Sequence, residues 1–233
     1  MQPTSNTSMS SRPASVVGSS LAVLFSGGLD SAILLAGSLR SYEKVQPLYV
    51  RSGHYWESVE LEQAKRFLSS VRSPVLQPFH VLDVPVTDLY ARHWSITGDG
   101  VPDLHSADEA VFLPGRNVLL LGKAMIWCHL HGVNALAVAA LGSNPFPDAT
   151  PAFFRAFQDV ANRAVGGSVK VDLPFVNLTK TDVMMRGRDL PLELTFSCIR
   201  PVAGRHCGRC NKCAERRRAF ADAGMIDKTV YEA

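Results

Sequence analysis

The chain has 233 residues and a formal net charge of +3, from 24 Lys and Arg against 21 Asp and Glu. At 46% hydrophobic and 19% charged residues it carries enough apolar material for one sizeable core, which excludes the disordered and fibrous classes. No apolar run is long enough to cross a membrane and no signal-like apolar stretch opens the chain, so a cytoplasmic protein without a membrane partner is expected.

Residues 1–20 are rich in serine, contain Pro3 and Pro13 and carry one charge, Arg12; they read as a disordered tail. The fold then starts near Leu21. The apolar run Leu21-Ala22-Val23-Leu24 leads into Phe25-Ser26-Gly27-Gly28-Leu29-Asp30-Ser31 and a second apolar run to Ala36, a layout of buried strand, glycine turn and helix. A helix that starts this way offers backbone amides and the positive end of its dipole to an anion, above all a phosphate. Gly27 and Gly28 allow close backbone approach, Ser26 and Ser31 add hydroxyl donors, and Asp30 suits a Mg²⁺ ion carried by a nucleotide. The segment is neither a Walker A loop nor G-x-G-x-x-G. Its S-G-G-x-D-S pattern resembles the pyrophosphate loop of the ATP pyrophosphatases, which split ATP between the α and β phosphates.

Residues 45–50 and 78–84 read as further strands and 56–71 as a helix. The stretch 85–112 is polar and turn-rich and reads as an insertion or lid. Pro114-Gly115-Arg116-Asn117 opens an apolar helix over 118–131. A fourth strand at 135–141, a loop at 142–150, a helix at 151–164 and a short fifth strand at 169–173 follow. Lys180 opens another helix, with Thr179 as N-cap and Asp182 three residues on. Strands alternating with helices predict an α/β fold with a doubly wound parallel sheet, whose ligands sit at the carboxyl ends of the strands. The glycine loop, the segment around His54 and Glu57, Arg116 with Asn117, and the loop carrying Asn144 and Asp148 all follow strands or open helices, and so are expected at one crevice.

Cys198, Cys207, Cys210 and Cys213 form C-x8-C-x2-C-x2-C, four of the five cysteines within sixteen residues. Four thiolates suit tetrahedral Zn²⁺, and a closed coordination sphere makes the metal structural; an iron–sulfur cluster would use the same ligand set. Gly208 allows a tight turn that aims amides at sulfur, and Arg205, Arg209 and Lys212 can offset the negative charge. The fifth cysteine, Cys128, falls in an apolar helix and reads as a core residue. Residues 200–218 hold seven Lys and Arg against one acid, a net +6 that leaves the rest of the chain near −3. The expected organisation is therefore a tail over 1–20, a nucleotide-binding α/β domain over 21–190 and a metal-binding segment over 191–233.

Together, F-S-G-G-L-D-S, P-G-R-N at 114–117, L-T-K at 178–180, S-C at 197–198 and C-G-R-C-N-K-C at 207–213 resemble the 7-cyano-7-deazaguanine synthase family, from about Leu21 to Phe220. The resemblance implies an adenine nucleotide alpha hydrolase-like fold, a bound zinc, and an ATP- and Mg²⁺-dependent ligase. The enzyme would turn 7-carboxy-7-deazaguanine and ammonia into the nitrile through an adenylated carboxylate and an amide, a step toward queuosine. On that reading Phe25 to Ser31 form the ATP loop, and Lys180 and Arg116 clamp phosphate or carboxylate. Asn117 holds a ribose or base edge, His54 and Glu57 orient ammonia or take its proton, and Asn144 and Asp148 frame the base. The chain departs from the family pattern at 142–150, where a tyrosine-bearing run is missing, which leaves the acceptor and the final product, amide or nitrile, open. Three rival readings stand beside it: attachment of a deazapurine to a protein or nucleic-acid amine, tRNA sulfur transfer through a free thiol, and a zinc-ribbon nucleic-acid module without catalysis. A homodimer is compatible with the sequence and not required by it.

Overall fold

The computed structural model describes residues 19–232; the expected tail lies outside them except for Ser19 and Ser20. Five parallel strands are joined by helices: β1 (Ser20–Leu24), α1 (Leu29–Ser38), β2 (Lys44–Arg51), α2 (Glu57–Ser70), β3 (His80–Asp83), α3 (Thr87–Tyr90), α4 (Trp94–Thr97), α5 (Arg116–Leu130), β4 (Ala135–Ala137), α6 (Pro151–Val165), β5 (Lys170–Asp172), α7 (Lys180–Arg186) and α8 (Asn211–Asp222). The strand order β3-β2-β1-β4-β5 places the first strand at the centre. Connections run to opposite sides from β1, so a crevice opens at its carboxyl end, which is where the glycine loop begins.

The alternation of strand side chains builds two cores on the two faces of the sheet. Leu21, Val23 and Val45 pack with Ile33 and Leu35 of α1, Phe67 of α2, Met184 of α7 and Phe220 of α8. Ala22, Leu48 and Leu136 pack on the other face with Leu121, Met125 and Cys128 of α5 and Phe154 of α6. Among the described residues no helix is long and apolar enough to cross a membrane.

Local signals set most helix starts. Thr150 accepts a hydrogen bond from the Phe153 amide (3.2 Å) with Pro151 in the first turn of α6. Thr179 and Asp182 complete a reciprocal capping box on α7: Oγ1 of Thr179 accepts from the Asp182 amide at 3.1 Å, and the Thr179 amide donates to Oδ2 of Asp182 at 2.9 Å. The fourth strand is shorter than its apolar run. The strand ends at Ala137 with one further bond, from the Val138 amide to the Asp172 carbonyl at 2.9 Å, and residues 138–140 line the crevice.

The 85–112 insertion folds into α3, α4 and a 3-10 turn at Asp108–Val111. It is fastened to the cysteine segment. The Asn211 amide donates to the Pro102 carbonyl (2.9 Å), the Asn211 side chain donates to the Ser106 carbonyl (2.9 Å), and Asp103 bridges to Cys210.

Candidate active site and metal centre

A cleft of about 330 Å³ lies at the carboxyl end of β1 and collects most of the residues singled out in the sequence. Ser26, Gly28, Leu29, Asp30 and Ser31 line it; Phe25 and Gly27 do not. Phe25 is buried between Phe67 and Phe79 in the core. Gly27 has φ +79°, and a Cβ there would lie 3.0 Å from the Ala64 Cβ, so this glycine lets the loop seat against α2. Gly27→Ala is expected to lower stability by about 2–4 kcal/mol, from backbone strain and overpacking together. A thermal melt of the metal-replete protein checks this, and an unshifted midpoint counts against the close packing.

The first-turn amides of α1 have no acceptor within the helix and face the cleft from its dipole-positive end. Ser26 and Ser31 share a hydroxyl hydrogen bond at 3.2 Å. Beside them runs an alternating row of charge. Lys180, first residue of α7, donates to both carboxylate oxygens of Asp30 at 2.7 and 2.8 Å. It also lies 3.9 Å from Glu215, whose other oxygen accepts from Lys212 at 2.6 Å. Burial alone would push the Glu215 carboxyl up, but Lys212 and Lys180 together hold it below the usual range. Lys180 and Asp30 are 150 residues apart in sequence and meet only because α1 and α7 pack side by side.

Arg116 opens α5 and lines the same cleft, with its Nε buried and without a hydrogen-bond partner. Asn117 and Asp148 are clasped together: the Asn117 amide donates to Oδ2 of Asp148 at 3.0 Å, and Nδ2 of Asn117 donates to the Asp148 carbonyl at 2.9 Å. Oδ1 of Asn144 accepts from the Phe146 amide at 3.0 Å, which shapes the 142–150 loop. Phe146 stacks on Phe112 from the insertion with ring centroids 5.1 Å apart, and both rings line the cleft.

His54 and Glu57 do not line the cleft. Glu57 is occupied by the turn before α2, where its carboxylate accepts from the Ser52 amide at 2.7 Å and the Gly53 amide at 2.5 Å. His54 is buried and stacked on Trp56 at 4.7 Å, and burial followed by the nearby Arg116 charge pushes its pKa down to about 3. The acid that does reach the cleft from α2 is Glu60, one turn further on. The sequence carries no signal for it, since a lone Glu on an amphipathic helix ordinarily faces water.

Lys212, Glu215 and Arg216 line the cleft as well, although in sequence they sit within the basic segment around the cysteines. Arg216 is 1% exposed. It donates to the Thr229 and Thr195 hydroxyls at 2.8 Å and to the Leu192 carbonyl at 2.7 Å. A larger, open groove of about 690 Å³ between Lys65 and Phe79 carries none of the motif residues.

The four cysteine sulfurs lie within 4.8 Å of one another and all four residues are buried. Cys198 and Cys210 are 3.8 Å apart and Cys207 and Cys213 4.0 Å apart, sulfur to sulfur. A tetrahedron with Zn–S bonds of about 2.3 Å has edges of about 3.8 Å, so the set fits a zinc-sized ion. Amides of Arg200 and Cys207 donate to the Cys198 sulfur (3.3 Å each), and the Arg209 amide donates to that of Cys207 (3.4 Å) past Gly208 at φ +73°. The expected side-chain charge compensation is different in the fold. Arg205 pairs with Glu232 and Lys212 with Glu215, since long side chains reach carboxylates while nearby amides reach sulfur.

The metal centre and the cleft are one construction. The Phe196 amide donates to the Gly27 carbonyl at 2.8 Å, which ties the strand of chain before Cys198 to the glycine loop. Cys213 lies on α8 between Lys212 and Glu215, both in the cleft.

Comparison with known proteins agrees with this arrangement. The family model described as queuosine biosynthesis protein QueC matches residues 20–224. Similar relatives include 7-cyano-7-deazaguanine synthase 1 of Mesorhizobium japonicum, 34% identical, and 7-cyano-7-deazaguanine synthase of Paracoccus denitrificans, 36% identical; each alignment covers 90% of this chain and 92% of the relative. A solved 4-thiouridine synthetase in complex with RNA and ATP superposes with a TM-score of 0.51 at 16% identity, over 90% of this chain and 52% of that one, a likeness of fold. With a glycine loop at the switch point, a four-sulfur cage behind it and a family match spanning nearly all the described residues, the chain belongs to the QueC family.

Proposed function

We propose that this protein is an ATP-dependent ligase that converts 7-carboxy-7-deazaguanine and ammonia into 7-cyano-7-deazaguanine. The observation that carries this reading is the meeting of the Ser26–Ser31 loop, Asp30, Lys180 and Arg116 at one cleft. The named activity of the relatives points the same way.

A carboxylate resists attack by ammonia because its oxygen is a poor leaving group. Transfer of AMP onto that oxygen makes it a good one, and the same activation of the amide oxygen permits dehydration to the nitrile. The chain's share of this work is electrostatic and geometric. Amides of the first turn of α1, with the Ser26 and Ser31 hydroxyls, hold the departing pyrophosphate. Lys180, held beside them by Asp30, neutralises charge on it, and Arg116 binds the carboxylate or the α-phosphate through its planar fork. Asn117 and Asp148, clasped together, present a polar edge to ribose or base, and Phe112 with Phe146 offers an aromatic face for the flat ring. Phe146 lies in the very loop that lacks the tyrosine run, so an aromatic wall is kept. Asp30, with hydroxyl oxygens beside it, is a hard-oxygen donor set that would hold Mg²⁺, which supplies neutralisation of phosphate charge when bound. The four cysteines would hold a structural Zn²⁺, and we propose that residues 191–233 serve as a metal-held segment on a nucleotide-binding body of residues 21–190.

The rival readings have less support. Five of the seven basic side chains of residues 200–218 are engaged within the protein, which leaves little of the strip for a polyanion. Arg205 pairs with Glu232, Lys212 with Glu215 and Arg218 with Asp108; Arg216 is buried and Arg217 stacks on Tyr231. Cys128 lies on the core-facing side of α5, outside the cleft, and burial pushes its thiol up to about 12, unlike a sulfur carrier.

Incubation with ATP, Mg²⁺, ammonium and 7-carboxy-7-deazaguanine is expected to release AMP and the nitrile together, with no AMP in the absence of the deazapurine. Mass spectrometry of the base and chromatography of the nucleotide read both. Nucleotide left intact, or cleaved to ADP alone, overturns the reading.

A further inference from the structure

We propose that Glu60 accepts the proton from the attacking nitrogen, an assignment that rests on the ligase reading above. Glu60 lies on α2 against the glycine loop, its carbonyl oxygen 3.6 Å from where a Gly27 Cβ would stand, and it lines the cleft together with Ser26, Trp56 and Arg116. The residue is 8% exposed. Its Oε2 accepts a hydrogen bond from the Tyr49 hydroxyl of β2 at 2.6 Å. Among the described residues no hydrogen bond reaches Oε1, which leaves one carboxylate oxygen for a ligand in the cleft.

The charged groups facing Glu60 are Arg116 on α5, which favours its ionised form, and Glu57 on its own helix, which opposes it. Asp30, Lys180, Lys212 and Glu215 line the same cleft from α1, α7 and α8. Burial pushes the Glu60 carboxyl up to about 7, against the pull of the Tyr49 hydrogen bond and of Arg116. A base of that strength is suited to proton transfer near neutrality. The other two groups expected for this task are unsuited to it by position, His54 being outside the cleft and Glu57 occupied by two amides.

Ammonia is stored in neutral water as ammonium, which has no lone pair to offer. An N–H bond of ammonium breaks, the electron pair stays on nitrogen and the proton forms an O–H bond on Glu60. The freed nitrogen bonds to the acyl carbon, and the carbon–oxygen bond to AMP breaks with its electron pair leaving on AMP. Glu60 returns its proton to water at the cleft mouth and is ready for the protons that nitrogen still carries. These leave as the amide is formed and later dehydrated.

Glu60→Gln keeps the shape and an acceptor for Tyr49 while removing the base. Acceptor-dependent ATP–pyrophosphate exchange is expected to stay within about threefold of the parent, while nitrile formation from ammonium falls by about 10²–10⁴-fold. Hydroxylamine, largely unprotonated at neutral pH, needs no such base and is expected to give hydroxamate at near the parent rate. Tyr49→Phe removes a hydrogen bond that favours the carboxylate, so the acidic limb of the kcat/KM profile is expected to move to higher pH. Nitrile formation by Glu60→Gln at the parent rate overturns the assignment. A parallel loss of exchange, nitrile and hydroxamate also overturns it, and marks Glu60 as structural. Absence of exchange in the parent protein instead overturns the ligase reading, and the base assignment with it.

Discussion

Replacing Asp30 by Asn is expected to lower AMP formation by at least about 10³-fold while the cysteine site keeps its full metal content. The substitution is nearly isosteric, so its effect is one of charge. Asp30 sits in the first turn of α1, where its carboxylate holds Lys180 by two short hydrogen bonds. Without that charge the cleft loses the group best suited to hold Mg²⁺. Lys180 is then left with Glu215 at 3.9 Å as its carboxylate neighbour and turns toward it. The phosphate-facing geometry fails in two ways at once. Chromatographic detection of AMP, with metal content measured on the same sample, separates a chemical defect from a folding one. A fully active Asn variant would remove the metal-holding role from Asp30.

Complete removal of metal by a chelator, or Cys210→Ser, is expected to open residues 197–213 to protease and to abolish ATP-dependent turnover. Thiolate–zinc formation in small sites is worth roughly 10–16 kcal/mol, comparable with the stability of a whole domain. The segment it holds has a modest apolar cluster of its own, in which the four cysteines pack with Trp56, Val111, Leu113 and Phe196. Loss of the metal leaves four crowded, buried thiols. The damage is expected to travel, because Cys213 shares α8 with Lys212 and Glu215, and because Phe196 is tied to the glycine loop at Gly27. The 85–112 insertion, fastened through Asn211, should loosen with it. Limited proteolysis followed by mass mapping locates the opened segment. Unchanged protease sensitivity after full metal loss refutes the structural role.

The parts of this protein that could be read from the chain are those whose physics is local. A buried apolar run followed by Ser26-Gly27-Gly28 and an apolar helix declares a strand, a turn and an anion-facing helix start within a dozen residues. The capping box at Thr179 and Asp182, the proline start of α6 and the tight cysteine spacing are equally self-contained, and all are present in the fold. Alternation of strands and helices was enough for a parallel, doubly wound sheet, and the crevice at the end of β1 followed from that topology.

What could not be read depends on which distant faces pack together. Gly27 has a packing role that its motif does not show, because only the docking of α2 brings Ala64 to 3.0 Å of its missing Cβ. Glu60 carries no motif in the sequence and is a buried cleft residue only because α2 packs over β2, where the Tyr49 hydroxyl reaches its carboxylate. Lys212, whose charge the sequence sets beside the cysteines, and Glu215 join the charge row of Asp30 and Lys180 because α8 packs beside α7. Sequence order carries the chemistry of each short motif, since backbone amides, hydroxyls and thiolates act over a few ångströms within one turn or loop. Burial and charge pairing between segments some 150 residues apart arise only when the chain has folded, and those are what convert ordinary acids and lysines into a site.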